Sequence, residues 1–163
     1  MSRKTLLLPL LVATLVASAA LGRPPPVEPV ETTAAAATAG PPAVELLRAW
    51  DVRRAEAWAR GDPSLLRPLY TPGSVAGRRD RAMLRAWARR GLVVQDLQTQ
   101  LLSVRELEHT SSTWTLEVTD RLAGGVAVAP GVRRPLPADR ATTRTLWLRR
   151  VDGAWLVAAV SPG

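Results

Sequence analysis

The chain contains no cysteine, a single histidine (His109), a single tyrosine (Tyr70) and a single lysine (Lys4). Without cysteine there is no disulfide, no lipid-modified N-terminal cysteine and no thiol nucleophile. One histidine excludes a His-rich metal centre. Set among Glu, Thr and Ser in a predicted hairpin turn, it is expected to be solvated and leaves no Ser-His-Asp triad. The glycines lack the spacing of a phosphate-binding loop. Gly61-Asp62-Pro63 and Gly124-Gly125 are not followed by the Lys-Ser/Thr that such a loop needs, so no nucleotide or other cofactor is indicated. No internal repeat is visible.

What is present begins with the first 22 residues, MSRKTLLLPLLVATLVASAALG. Arg3 and Lys4 lead into an apolar run from Leu6 to Leu21, and small residues close it. This is the layout of a secretory signal. Two outcomes stay open. The run is cleaved, at Ala17-Ser18-Ala19 or at Ala20-Leu21-Gly22, or it is retained as a single membrane anchor. A spanning helix needs about 20 apolar residues, and this run is slightly short. The positive end stays cytoplasmic in both cases, so the expectation is an extracytoplasmic protein, secreted or anchored. Residues 23–43, RPPPVEPVETTAAAATAGPPA, read as a Pro/Ala-rich linker, and 44–163 as one folded domain.

The charge balance is basic, with 22 Lys and Arg against 14 Asp and Glu. Such a domain could rest on anionic lipid or polymer, or the arginines could simply solvate its surface. Nucleic acid fits poorly, because the basic residues are scattered and the leader implies export. The membrane partner, if any, is the N-terminal segment when uncleaved.

Hydrophobic periodicity predicts helices first and strands after. Val44–Arg60 carries Leu47, Trp50, Ala57 and Trp58 near one helical stripe. Gly61 stops this helix, and Asp62-Pro63 restarts the chain as a cap with proline at the first helical position. A short helix or turn (SLLRPLY) and a Thr71-Pro72-Gly73 break follow. A second helix is expected over Asp80–Arg90, capped by Asp80, with Met83, Leu84 and Trp87 inward. From 92 the period becomes two. Strands are expected at 92–107, Thr113–Leu122, Arg140–Val151 and Trp155–Val160, with Asp152-Gly153 as a hairpin turn and 123–139 as an excursion. The fold class is α+β, with helices on one face of a curved antiparallel sheet.

This order of long helix, GD-P, LYTPG, second helix and a meander ending in TLWLRRVDGAWLVAAV resembles the nuclear transport factor 2-like superfamily. Within it, the likeness is to the SnoaL-like, polyketide-cyclase-like and ketosteroid-isomerase-like branch, over about 44–163. The resemblance implies a cystatin-like cone with an open pocket, and dimers are common in the superfamily, so a homodimer is an expectation. Members include isomerases, cyclases, dehydratases and non-catalytic binding or accessory domains, so fold alone does not give function.

Asp120 continues the Trp114, Leu116, Val118 face, so strict alternation turns a carboxylate toward the apolar side, where it could serve as a general acid or base. The alternative is that the strand ends or bulges at Thr119 and Asp120 pairs with Arg121 or another arginine. Trp50, Asp51, Arg54 and Trp58 form a cluster on the first helix. Asp51 and Arg54 can pair on one helix face, either as a structural ion pair or with Arg54 as an anion clamp at the cone mouth. Arg144 is placed near that mouth too. The resemblance implies a hydrogen-bonding role for Tyr70; the other reading is a half-buried ring with its hydroxyl at the surface. Asp96 lies in a strand and could pair across the sheet with an arginine. Beyond Asp120 and Tyr70 the catalytic set of the related enzymes cannot be mapped here. The leading expectation is therefore an exported, non-catalytic domain at a bacterial cell envelope that binds a small hydrophobic or anionic ligand or serves an accessory role. The alternative is an isomerase or cyclase acting on a small hydrophobic carbonyl compound through Asp120, with Tyr70 or Asp51 assisting.

Overall fold

The computed structural model describes residues 41–163; the leader and most of the linker lie outside the described residues. Helix α1 spans Pro41–Arg60, three residues earlier than the periodicity suggested, because Pro41-Pro42 open the helix rather than precede it. Gly61, at a φ of +64°, ends it. The side chain of Asp62 then accepts from the Ser64 amide and caps a 3-10 helix over Pro63–Leu69, as the sequence indicated.

Helix α2 spans Val75–Ala88, and its cap is Ser74, whose hydroxyl accepts from the Gly77 amide at 3.2 Å. The expected cap, Asp80, instead lies in the second turn and is buried. The helix starts five residues earlier than expected, since the Thr71-Pro72-Gly73 break ends immediately before Ser74. Leu84 is fully buried and Trp87 partly so, whereas Met83 is 44% exposed rather than inward.

The sheet has five antiparallel strands in the order β1-β2-β4-β5, with β3 pairing β2. The strands are β1 (Val93–His109), β2 (Thr113–Ala129), β3 (Val132–Pro135), β4 (Thr142–Val151) and β5 (Ala154–Pro162). The sheet does not close on itself. Strand β2 runs through the segment read as an excursion, and only Pro130-Gly131 turn the chain into β3. The Gly124-Gly125 pair had masked this continuation, because glycine weakens a strand pattern without ending it. Asp152 (φ +50°) and Gly153 (φ +81°) make the β4–β5 hairpin turn, which needs positive φ at both positions.

One face of the sheet carries the core. Val94 and Val104 of β1, Trp114, Leu116 and Val118 of β2, Leu146 and Leu148 of β4 and Val157 of β5 pack with Leu47, Ala57 and Trp58 of α1, Leu66 and Leu69 of the 3-10 helix and Leu84 of α2. The other face alternates Thr, Glu and Arg with the exposed Trp147. Period-two alternation puts the apolar set on one side, and the amphipathic helices cover it. The result is the expected α+β architecture. Among the described residues no helix is long and apolar enough to cross a membrane.

Candidate functional site

Two polar clusters are built into this frame, one around Asp80 and one on the inner face of the sheet. The first is a closed node around Asp80. Arg54 donates to its carboxylate through Nε (2.8 Å) and Nη2 (3.0 Å), Tyr70 through its hydroxyl (2.8 Å) and Trp58 through Nε1 (3.3 Å). Four donors fill the acceptor sites of the two oxygens. Asp80 is 6% exposed, so a carboxylate there needs that set. Arg54 also lies 5.9 Å from the ring centroid of Trp50 and 5.7 Å from that of Trp58, within cation–π range. Trp50 in turn donates to the Leu69 carbonyl at 3.2 Å and meets the Tyr70 ring edge-on. Burial opposes the Arg54 charge, but Asp80 outweighs it and the guanidinium is held charged. Burial first, then the Asp80 carboxylate, pushes the Tyr70 hydroxyl well above the ordinary tyrosine range.

This node corrects the sequence readings of Arg54 and Tyr70. Arg54 pairs with Asp80, not with Asp51, because the fork reaches across to α2 with bidentate geometry that an i, i+3 partner lacks. Its Nε and Nη2 are thereby taken, which counts against an anion clamp. The Tyr70 hydroxyl is neither at the surface nor free to bond a substrate; it is engaged by Asp80 inside the core. Trp58 is core, and Trp50 lies at its edge.

The second cluster is on the inner face of the sheet. Asp120 stands opposite Leu101 of β1 and Thr142 of β4, and the strand continues past it. The irregularity lies on β1 instead, where Leu102 is the extra residue between the Leu101–Asp120 and Ser103–Thr119 pairs. Asp120 therefore keeps the inward direction that alternation gave it, with its side chain 13% exposed. Arg144 donates through Nη2 to Asp120. The two residues lie diagonally across β2 and β4, since Arg144 is opposite Val118. The pairing is one-sided, and Nε of Arg144 is buried without an acceptor. Arg144 is 40% exposed, so solvent reaches the cluster along it.

Asp51 of α1 lies within electrostatic reach of the same group. Burial raises its carboxyl to about 6, with Arg54 opposing the rise, the Asp120 charge adding to it, and the nearby Thr99 hydroxyl and Arg144 lowering it. Asp120 is also raised, first by burial, against the pull of Arg144 and with the help of Asp139. Asp139 is pinned beside β2, accepting from the Leu122 amide at 2.6 Å. Arg54 acts on both Asp51 and Asp120 from the edge of its own node.

The structure thus brings together Asp51, Asp120 and Arg144, and keeps Trp50, Trp58 and Tyr70 in the node behind them. Thr99, Asp80 and Asp139 were not singled out as site residues. For Asp80 a signal existed: Gly77, Asp80, Leu84 and Trp87 recur at helical spacing, which places the acid on the apolar stripe. For Asp139 none existed, because only the fold of the 136–141 connection brings it to β2.

Two other residues differ from expectation. Asp96 makes no cross-strand ion pair; it sits at φ +51° in the irregular stretch between Gln95 and Gln98, a backbone state that aspartate tolerates. His109 is not simply solvated. It stacks on Trp114 with centroids 4.3 Å apart and meets Trp155 at 5.8 Å, while Trp114 Nε1 donates to Glu106 at 2.7 Å.

No protein-family model matches the chain, and no curated protein matches it. Solved structures do. The intermembrane space region of the chloroplast protein ARC6 is similar at a TM-score of 0.55 and 13% identity, over 74% of this chain and 93% of that one. Aln2 from a Streptomyces species is similar at 0.50 and 14% identity, over 76% and 91%. A nuclear transport factor 2-like protein of unknown function from Shewanella oneidensis is similar at 0.48 and 12% identity, over 72% and 96%. At these identities the likeness is one of fold. The chain shares the fold of the ARC6 region and of Aln2, and its helices on an open antiparallel sheet are the α+β class expected from the order of elements.

Proposed function

We propose that the protein is an exported ligand-binding domain whose site is the inner-face cluster of Asp51, Asp120 and Arg144. One observation carries this reading. Two desolvated carboxylates from different elements converge beside a half-exposed arginine, on the face that the helices otherwise fill with apolar side chains. Burying such groups costs stability, which a bound polar partner would offset. The balance of charge selects the ligand. Arg54 and Asp80 neutralise each other, so the remaining groups are acid-rich around one arginine. Of the hydrophobic or anionic ligands expected from sequence, this favours a small, mainly apolar molecule that presents an amine or hydroxyl to the carboxylates over an anion. The leader supports placement outside the cytoplasm, and the ARC6 region that shares the fold belongs to an intermembrane space.

The test is ligand-observed NMR with a panel of apolar amines, alcohols and carboxylates, on the full chain and on Asp51→Asn and Asp120→Asn. Amines and alcohols are expected to bind, with loss of about tenfold or more in affinity in each variant. Carboxylates binding as well as amines, unaffected by either substitution, would overturn the reading.

A second reading has its own support. Burial raises the Asp51 carboxyl to about 6 and no arginine is hydrogen-bonded to it, whereas Asp120 is held by Arg144. If the protein catalyses proton transfer on a carbonyl compound, the geometry assigns the base to Asp51, with Asp120 and Arg144 positioning it. Tyr70, engaged by Asp80, is no donor there.

A further inference from the structure

A different face of the molecule carries a charge pattern that the inner-face site does not use. Between Arg78 and Arg90 the sequence places six arginines and one acid, Asp80. That acid is buried and neutralised by Arg54, so it does not offset the surface charge. Four of these arginines, Arg78, Arg79, Arg81 and Arg85, lie on α2 itself.

Three of them, Arg78, Arg81 and Arg85, recur at i, i+3 and i+7 and form a row on one flank of the helix, spanning roughly 10 Å. The row borders an open cleft with a volume of about 560 Å³. Arg67, from the 3-10 helix, stands in the same cleft, and Tyr70 and the turn at Gly73 form the rest of its lining. No carboxylate lines it, and none of the four arginines pairs with an acid among the described residues. Arg78 donates to the Gly73 carbonyl and Arg85 to that of Arg81, which anchors each guanidinium at one corner and leaves other N–H groups for a ligand.

Four unpaired guanidinium groups around one small concavity repel one another unless an anion joins them. Planar forks of this kind match phosphate oxygens with paired hydrogen bonds. The cleft's size suits one headgroup or one phosphoester rather than an extended polymer. We infer that the cleft between the 3-10 helix and α2 binds a phosphate-bearing molecule through Arg67, Arg78, Arg81 and Arg85. The chemistry is shared by a phospholipid headgroup and a soluble phosphoester.

The experiment uses the full chain, the triple variant Arg78→Gln/Arg81→Gln/Arg85→Gln, and a charge-matched control, Arg133→Gln/Arg134→Gln/Arg149→Gln, on the sheet. The substituted side chains of the triple variant lie at the surface or near it, and thermal melts check that all three proteins are folded. One arm measures binding of glycerol phosphate by calorimetry. The other measures co-sedimentation with vesicles of phosphatidylcholine alone or with one-third phosphatidylglycerol. The leader is the same in all three proteins, so the comparison between variants cancels its contribution. The expected result is binding in one arm or both, weakened about tenfold or more in the cleft variant and little changed in the control. Binding of glycerol phosphate identifies a soluble ligand, and binding to anionic vesicles alone identifies a headgroup. Equal losses in the two variants would reduce the effect to net charge and overturn the inference. So would no binding in either arm.

Discussion

Asp80 shows how one residue's environment decides its role. In a run of arginines it reads as a surface acid or a cap, yet it accepts four hydrogen bonds and joins α1, the 3-10 helix and α2. Its removal leaves the Arg54 guanidinium, 23% exposed, without a counter-charge and leaves the Trp58 and Tyr70 donors unmatched. Asp80→Ala is therefore expected to cost about 3 kcal/mol or more in urea unfolding, and replacing Arg54 by Met in the same chain should recover part of it. A loss below about 1 kcal/mol would show that the node contributes little. Asp51 is the opposite case. Its charge is disfavoured rather than matched, so the protonated form is the stabilised one. Since its folded-state value lies above the ordinary aspartate value, that stabilisation is complete below about pH 4 and is lost as pH rises through about 6.

At the scale of elements, the placement of α2 depends on Gly77. A Cβ there would lie 2.6 Å from Cγ of Tyr70, so the helix packs on the tyrosine ring through a bare backbone. Two effects of Gly77→Ala oppose each other. Alanine improves helix propensity by up to about 1 kcal/mol, and overpacking costs about 1–3 kcal/mol. The ring is clamped by Asp80 and by Trp50, which limits how far it can yield, so overpacking is expected to win and lower the melting temperature by several degrees. A higher melting temperature would mean that the ring moves freely. Most elements were legible where the local signal matched the global fold. Asp62-Pro63, Gly61 and Asp152-Gly153 each marked a boundary through backbone geometry that only those residues favour. The start of α2 was misplaced because Asp80 is also a good cap, although the Thr71-Pro72-Gly73 break immediately before Ser74 favoured the earlier start. The length of β2 was hidden by its glycines. Alternation turned Asp120 inward, since a period of two survives as long as no bulge intervenes, and the bulge beside it fell on β1; no such signal was read for Arg144. The partner of Arg54 was not legible as a pair, because it lies 26 residues away and depends on how α1 and α2 pack.

For the whole molecule, charge is sorted by face. The sheet's inner face gathers carboxylates around Arg144, and the flank of α2 gathers arginines around a cleft. The two sites face different chemistry, and the Asp80 node stands between them, with Tyr70 lining the cleft and Arg54 acting on the inner-face acids. Carboxyl-carbon NMR of the full-length protein, followed against pH, tests the inner-face site most directly. Asp51 is expected to titrate near pH 6, and Asp120→Asn to lower that midpoint by removing a neighbouring negative charge. A midpoint for Asp51 at the ordinary aspartate value of 3.8, unmoved by the substitution, would contradict a desolvated acid pair and with it the proposed binding site.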